Sequence, residues 1–229
     1  MKSLYLFIWC NLLISQVFSQ PADCDCSSVE DYGINQQDGL MGIEYSNPVR
    51  GYTGEQYFND WTPGEVSLYN GEVIKNILLR YERYLDELLW LRKTDFATGI
   101  LQKTAILGFR LVDEQDRPTA DFIKKKILLP MSDSTEAYLQ VLVSGQVAFY
   151  VYRNVNVTTV EYKLSNNTRY FICTGGNDFL LTLKRKSLLN LPVVQKAEMK
   201  SILRVNRISV SGNEQEFIRA IELYNNRHK

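Results

Sequence analysis

Between Gly64 and Arg92 the chain carries two hydrophobic rhythms at once. Ile74, Ile77, Leu78, Tyr81, Leu85, Leu88 and Leu89 recur at helical spacing. The same residues also alternate, with Ile77, Leu79 and Tyr81 on one face and Leu89 and Leu91 on another downstream. Asn70-Gly71 supplies the positive backbone dihedrals of a tight hairpin turn between Glu65–Tyr69 and a return strand opened by Glu72. A helix beginning beside that turn would abandon the partner the turn provides. Periodicity alone leans toward one helix over about 72–92, while the alternation and the turn argue for strands.

Strand patterning continues beyond this region. Gly99–Lys103, Gly108–Val112 and Phe122–Leu129 read as short strands. Tyr138–Tyr152 is the clearest hairpin, its β-branched and aromatic residues flanking Ser144-Gly145. Val155–Leu164, Tyr170–Cys173 and Phe179–Leu183 extend the series. Thr62-Pro63-Gly64, Ser165-Asn166-Asn167 and Gly175-Gly176-Asn177-Asp178 are expected turns. Regular strands joined by hairpin-length turns predict an antiparallel meander. The last fifth changes period: Ser187 can cap a turn, Pro192 can open a helix running to about Arg204, and Asn213 with Glu216 resembles a capping box. Phe217, Ile221 and Tyr224 share one face of the helix that follows, ending near Asn225. The expected fold class is α+β, mainly β: an antiparallel meander sheet, with a half-open barrel as its rolled variant, and two short C-terminal helices.

The first residues add a destination. MKSLYLFIWCNLLISQVFSQ has one cation, Lys2, then an apolar run from Leu4 to Ile14 and a Val17-Phe18-Ser19 cleavage pattern. That layout predicts a secretory signal, and the run is too short to cross a bilayer as a helix. Neither Cys10 nor Cys24 follows a small residue, so no lipid attachment is expected. The organisation reads as a signal over 1–19, an extended or partly disordered arm over 20–54, an antiparallel β domain over 55–185, and a helical segment over 186–229 packed on it.

Charge is balanced, 26 Lys+Arg against 26 Asp+Glu, which gives no overall pull toward nucleic acid. Lys124-Lys125-Lys126 and Lys184-Arg185-Lys186 read as solvated edges. Cleavage would leave Cys24, Cys26 and Cys173, an odd number, and nothing near Cys24-Asp25-Cys26 completes a closed metal site. The single histidine, His228, stands next to last, which removes Ser-His and Cys-His nucleophiles. No phosphate-cradling glycine motif is present. Asp86 and Glu87 are adjacent carboxylates whose side chains, on a strand, point to opposite faces. No catalytic residue, cofactor or metal is assigned. Tyr57, Phe58, Trp61, Tyr81, Tyr84 and Trp90 are the candidate binding residues, as an exposed aromatic platform for a glycan, peptide or protein. A sheet core filled with aromatics is the competing reading. An outer-membrane barrel is disfavoured because charges interrupt both faces of several strands.

Tyr57-Phe58, Gly64-Glu65-Val66, Asn70-Gly71, Leu79-Arg80-Tyr81 and Leu85-Asp86-Glu87-Leu88, with Val143-Ser144-Gly145, Lys186-Ser187-Leu188-Leu189 and Leu223-Tyr224-Asn225, resemble an uncharacterised family of exported Bacteroidota proteins. The resemblance implies a β-rich domain with C-terminal helices and export to the periplasm or cell surface. It also breaks 72–92 into two strands with a bend near Glu82-Arg83-Tyr84, and together with the turn and the alternation it makes strands the expectation for that region. It carries over no functional residue. In a bacterial product the sequons Asn156-Val157-Thr158 and Asn166-Asn167-Thr168 are chance matches. The functional expectation is an exported non-enzymatic protein that binds another envelope component, a protein or a glycan. A carboxylate-based envelope glycan hydrolase and a lipid or small-ligand carrier are the alternatives.

Overall fold

The computed structural model describes residues 35–37, 40–129, 134–192 and 194–228. The expected signal segment, Cys24 and Cys26 lie outside the described residues. Among the described residues twelve strands form one sheet: β1 (Asn35–Gln37), β2 (Leu40–Glu44), β3 (Thr62–Leu68), β4 (Val73–Glu82), β5 (Glu87–Leu91), β6 (Thr98–Leu101), β7 (Ile106–Val112), β8 (Pro118–Leu128), β9 (Ser134–Val143), β10 (Val147–Thr158), β11 (Lys163–Thr174) and β12 (Asn177–Leu181). Their order is β1-β2-β6-β5-β4-β3-β7-β8-β9-β10-β11-β12. Every strand pair is antiparallel. The fold is α+β and mainly β, as the alternation predicts.

Region 72–92 is two strands, joined by a turn over Arg83–Asp86. The preceding hairpin forms at Asn70-Gly71, but of the two only Gly71 takes a positive φ, 86°; Asn70 serves through its side-chain oxygen, which accepts from the Glu72 N–H at 2.9 Å. Two expected turns are strand instead. Thr62-Pro63-Gly64 opens β3, where Gly64 is required because a Cβ would sit 2.5 Å from the Arg110 carbonyl oxygen. Ser165-Asn166-Asn167 lies inside β11, and the chain reverses at Thr159–Tyr162, within the span expected as a strand over 155–164. The reason is cross-strand pairing. Asn166 and Asn167 stand opposite Val155 and Asn154 in the β10–β11 ladder, Asn167 Nδ2 donates across it to Asn156 Oδ1 at 2.9 Å, and Asn166 accepts from Arg83 of the β4–β5 turn at 2.6 Å. The expected arm over 20–54 reaches the described structure as β1, β2 and the loop behind them.

The connection between β6 and β7 shows that the sheet rolls. Three strands separate the two in sheet order, and a flat sheet would hold them about 19 Å apart. Only Gln102–Ala105 joins them, and Lys103–Ala105 is a 3-10 turn of short rise. The β3–β4 hairpin therefore curls over to this link, the Tyr69 N–H bonding the Ala105 carbonyl at 3.0 Å. Leu101 and Ile106 bury their side chains in one cluster with Val66, Leu79, Trp90 and Leu111. At its centre Phe109 and Phe122 stack at 4.4 Å, with Tyr81 and Tyr138 set around them.

Among the described residues three helices follow, one more than expected: α1 (Arg185–Leu189), α2 (Lys196–Val205) and α3 (Glu214–Arg227). Asn213 caps α3 as predicted, accepting from the Gln215 and Glu216 N–H groups. α2 begins at Lys196, four residues after Pro192, so the proline precedes the helix without opening it. The helices cover one face of β9–β12, where Phe149 and Ile172 meet Leu188, Met199, Ile202, Phe217 and Ile221. No described helix is long and apolar enough to cross a membrane.

Candidate functional site

The β4–β5 turn gathers three carboxylates, and the turn explains what each one does. Glu82 is fully buried and caps the turn, accepting from the Tyr84 N–H at 3.1 Å and the Leu85 N–H at 2.6 Å. Burial raises its pKa against those two bonds. Asp86 takes φ 59°, a left-handed conformation that Asp tolerates better than most residues. Its side chain turns into the roll and is only 5% exposed as a residue. The Tyr81 hydroxyl donates to it at 2.5 Å, and the Lys103 ammonium donates to its carboxylate at 2.7 Å and to its backbone carbonyl at 2.6 Å. The Tyr138 N–H reaches both carboxylate oxygens at 3.3 Å. Asp86 thus pins β4, the turn, the β6–β7 link and β9 together. Burial lifts its carboxyl to about 6, with Lys103 the main opposing influence.

Glu87, the first residue of β5, is half-buried. Burial raises its carboxyl to about 7; Lys103 opposes the shift, while Asp86 and Glu82 add to it. Lys103 completes the group, its ammonium lying 4.8 Å from the centre of the Tyr138 ring. The Tyr138 hydroxyl is buried and has no hydrogen-bond partner among the described residues. Burial, then Glu87, raises the pKa of that phenol.

A cleft of about 430 Å³ opens beside this group. Met41 and Ile43 of β2 and Ile100 and Leu101 of β6 form its apolar wall, with Glu87 and Lys103 as its charged groups. Met41 and Ile43 are 46% and 52% exposed, unusual for two apolar residues on one short strand. A larger cleft of about 550 Å³ crosses β3, β7 and β8, but its charges neutralise one another as the Lys75–Glu65 and Arg110–Asp121 pairs. The smaller cleft is the better candidate because its carboxyl is left without such a partner: Lys103 is already bonded to Asp86.

The candidate aromatic residues do not form one surface. Tyr81 and Trp90 are 0% and 2% exposed and belong to the interior of the roll. Phe58 packs edge-on against Phe122 at 5.2 Å. Tyr84 joins a separate cluster with Val49, Val155 and Leu164. Tyr57 and Trp61 do come together at the Arg80 guanidinium, whose central carbon lies 4.6 and 4.9 Å from their ring centres. Asp60 neutralises that cation at 2.8 Å. For Tyr81 and Trp90 the competing reading, aromatics filling a sheet core, is the one the fold realises.

Asp86 and Glu87 were visible in the sequence as a carboxylate pair, but their surroundings were not. Lys103 and Tyr138 come from 17 and 52 residues away, and no local pattern marks either one. Of the Lys124–Lys126 run, expected as a solvated edge, Lys126 is exposed, but Lys124 is drawn in: its side chain is 3% exposed, pairs with Glu136 and donates to the Lys103 carbonyl at 2.7 Å. Lys125 pairs with Asp178 at 2.6 Å, and Cys173 forms no disulfide among the described residues. Among the described residues no group of three His, Cys, Asp or Glu is arranged to hold a metal ion. The chain matches no family model, no curated protein and no solved structure.

Proposed function

We propose that the protein is an exported, non-enzymatic binding protein of the cell envelope that holds an amphipathic ligand in the cleft between β2 and β6. The observation that carries the reading is the Glu87 carboxyl set into an apolar wall of Met41, Ile43 and Ile100. An apolar body against that wall and a hydrogen-bonding head against Glu87 match the lining. Export rests on the N-terminal pattern of Lys2, the Leu4–Ile14 run and the Val17-Phe18-Ser19 site.

Binding is favoured over glycan hydrolysis by what the other two carboxylates are doing. Hydrolysis needs two carboxyl groups flanking the scissile bond. Asp86 is held by Tyr81, Lys103 and the Tyr138 N–H, and Glu82 is held by its own turn. That leaves Glu87 alone at the cleft, with a pKa near neutrality and no free partner of its kind. A neutral amphipathic ligand gains from this, because a protonated carboxyl is cheaper to desolvate than a carboxylate.

The test is titration with the neutral probe N-phenyl-1-naphthylamine, read by fluorescence. The probe should bind, Ile43→Glu should weaken it by about tenfold or more, and affinity should fall as pH rises through about 7. Glu87→Gln should remove that pH dependence. Equal binding by the Ile43→Glu variant would overturn the assignment. Glycan turnover abolished by Glu87→Gln would transfer the site to hydrolysis.

A further inference from the structure

The charge balance of the whole chain hides a local excess. From Lys184 to Arg207 the sequence carries seven cationic side chains and one acidic one, Glu198. In the fold Glu198 is turned toward α3, with its carboxylate 2.9 Å from His228 Nε2 and 3.9 Å from an Arg227 nitrogen. None of the seven cations has an acidic partner among the described residues. Over the sheet most cations are matched, including Lys75, Arg80, Arg92, Lys103, Arg110 and Lys125.

Three of these unmatched cations converge on one groove. Arg185 of α1 faces Lys200 and Arg204 of α2 across a hollow of about 520 Å³, with Ser201 at its side and Ala197 and Leu203 completing the lining. Lys200 and Arg204 stand one helical turn apart, a spacing at which like charges repel and weaken the helix. Nothing within the described structure offsets that repulsion, and an external anion would.

We propose that the groove between α1 and α2 is a binding site for a phosphate or sulfate group. Two guanidinium groups can each offer paired N–H donors to a tetrahedral oxyanion, the ammonium adds a point charge, and the Ser201 hydroxyl is a further donor. The volume exceeds what a bare ion fills, so the group arrives on a larger molecule, either a soluble ester or a lipid headgroup. The site lies on the helical layer and uses none of the residues of the β2–β6 cleft, so it stands independently of that reading. It also reassigns Arg185, which the sequence alone places on a solvated edge.

The experiment titrates the full protein with inorganic phosphate at constant ionic strength, followed by amide NMR, with sodium chloride as the control. Saturable shifts at Arg185, Lys200, Ser201 and Arg204 are expected. Each single change, Arg185→Gln, Lys200→Gln or Arg204→Gln, should weaken binding by about tenfold, and the triple variant should lose it. All three side chains are exposed, so an unchanged thermal midpoint in the single variants separates lost binding from lost folding. Flotation with phosphatidylcholine vesicles, with and without phosphatidylglycerol, distinguishes the sources. Flotation only with the anionic vesicles, lost in the triple variant, assigns the group to a lipid headgroup. Phosphate shifts without flotation assign it to a soluble ester. Absence of saturable shifts, the same shifts from chloride, or unchanged phosphate binding in the variants would overturn the proposal.

Discussion

At the scale of the residue, the carboxylates of the β4–β5 turn set how the protein responds to pH. Asp86 has a folded pKa of about 6 and Glu87 one of about 7, both above their values in an unfolded chain. Between the unfolded and folded values the native state holds more protons, so stability falls as pH rises through that window. The window runs from about 4 to about 7, and Asp86 alone contributes on the order of 2 to 3 kcal/mol across its part of it. Asp113, lowered by its bonds to Arg117, acts in the opposite sense but only at more acid pH, below the ordinary carboxylate value. Thermal denaturation should therefore give a higher Tm at pH 5 than at pH 8, and Glu87→Gln should shrink the drop. A Tm that climbs from pH 5 to pH 8 would contradict burial as the dominant influence on these groups. The acidic pair was legible in the chain; its altered acidity was not, because desolvation is a property of what packs around it.

Elements dock through particular side chains, and α3 offers the clearest case. Asn225 is buried in the helix and imitates a strand backbone. Its Oδ1 accepts from the Val147 N–H at 3.0 Å, and its Nδ2 donates to the Val147 carbonyl at 2.8 Å and to the Ser144 carbonyl at 3.3 Å. Gly145, at φ 142°, makes room: a Cβ there would lie 2.6 Å from Asn225 Nδ2. The β9–β10 hairpin and the last helix are thus keyed to each other. Asn225→Ala would strand a buried N–H and a carbonyl and should cost about 2 to 3 kcal/mol, measured by urea unfolding. A loss within experimental error would show that water replaces the amide. The sequence marked both partners, Ser144-Gly145 as a turn and Asn225 as a helix end. It did not mark the bond between them, which spans 78 residues.

For the molecule as a whole, the roll and the helix-covered sheet share continuous strands, since β9 contributes Tyr138 to one core and Val143 to the other. Perturbing one core should therefore be felt in the other. Phe217→Ala, in α3, removes a fully buried ring and should cost about 3 to 5 kcal/mol. The loss should shift the midpoint seen by Trp90 fluorescence in the roll and that seen by helical circular dichroism equally. Separate midpoints would mean that the two cores unfold independently. The sequence alone determined most of the antiparallel strand framework, the Asn70-Gly71 hairpin and the Asn213-capped terminal helix, because these follow from alternation, turn chemistry and capping within a few residues. Over 72–92 helical and strand periods compete in the chain, and the fold decides for two strands. Tertiary structure decided that the sheet rolls, which aromatics face inward, that Asp86 meets Lys103 and that Arg185 and Arg204 line one hollow. Those outcomes depend on which distant surfaces are driven together to leave water, and alternation along a strand distinguishes two faces without saying which one will be covered.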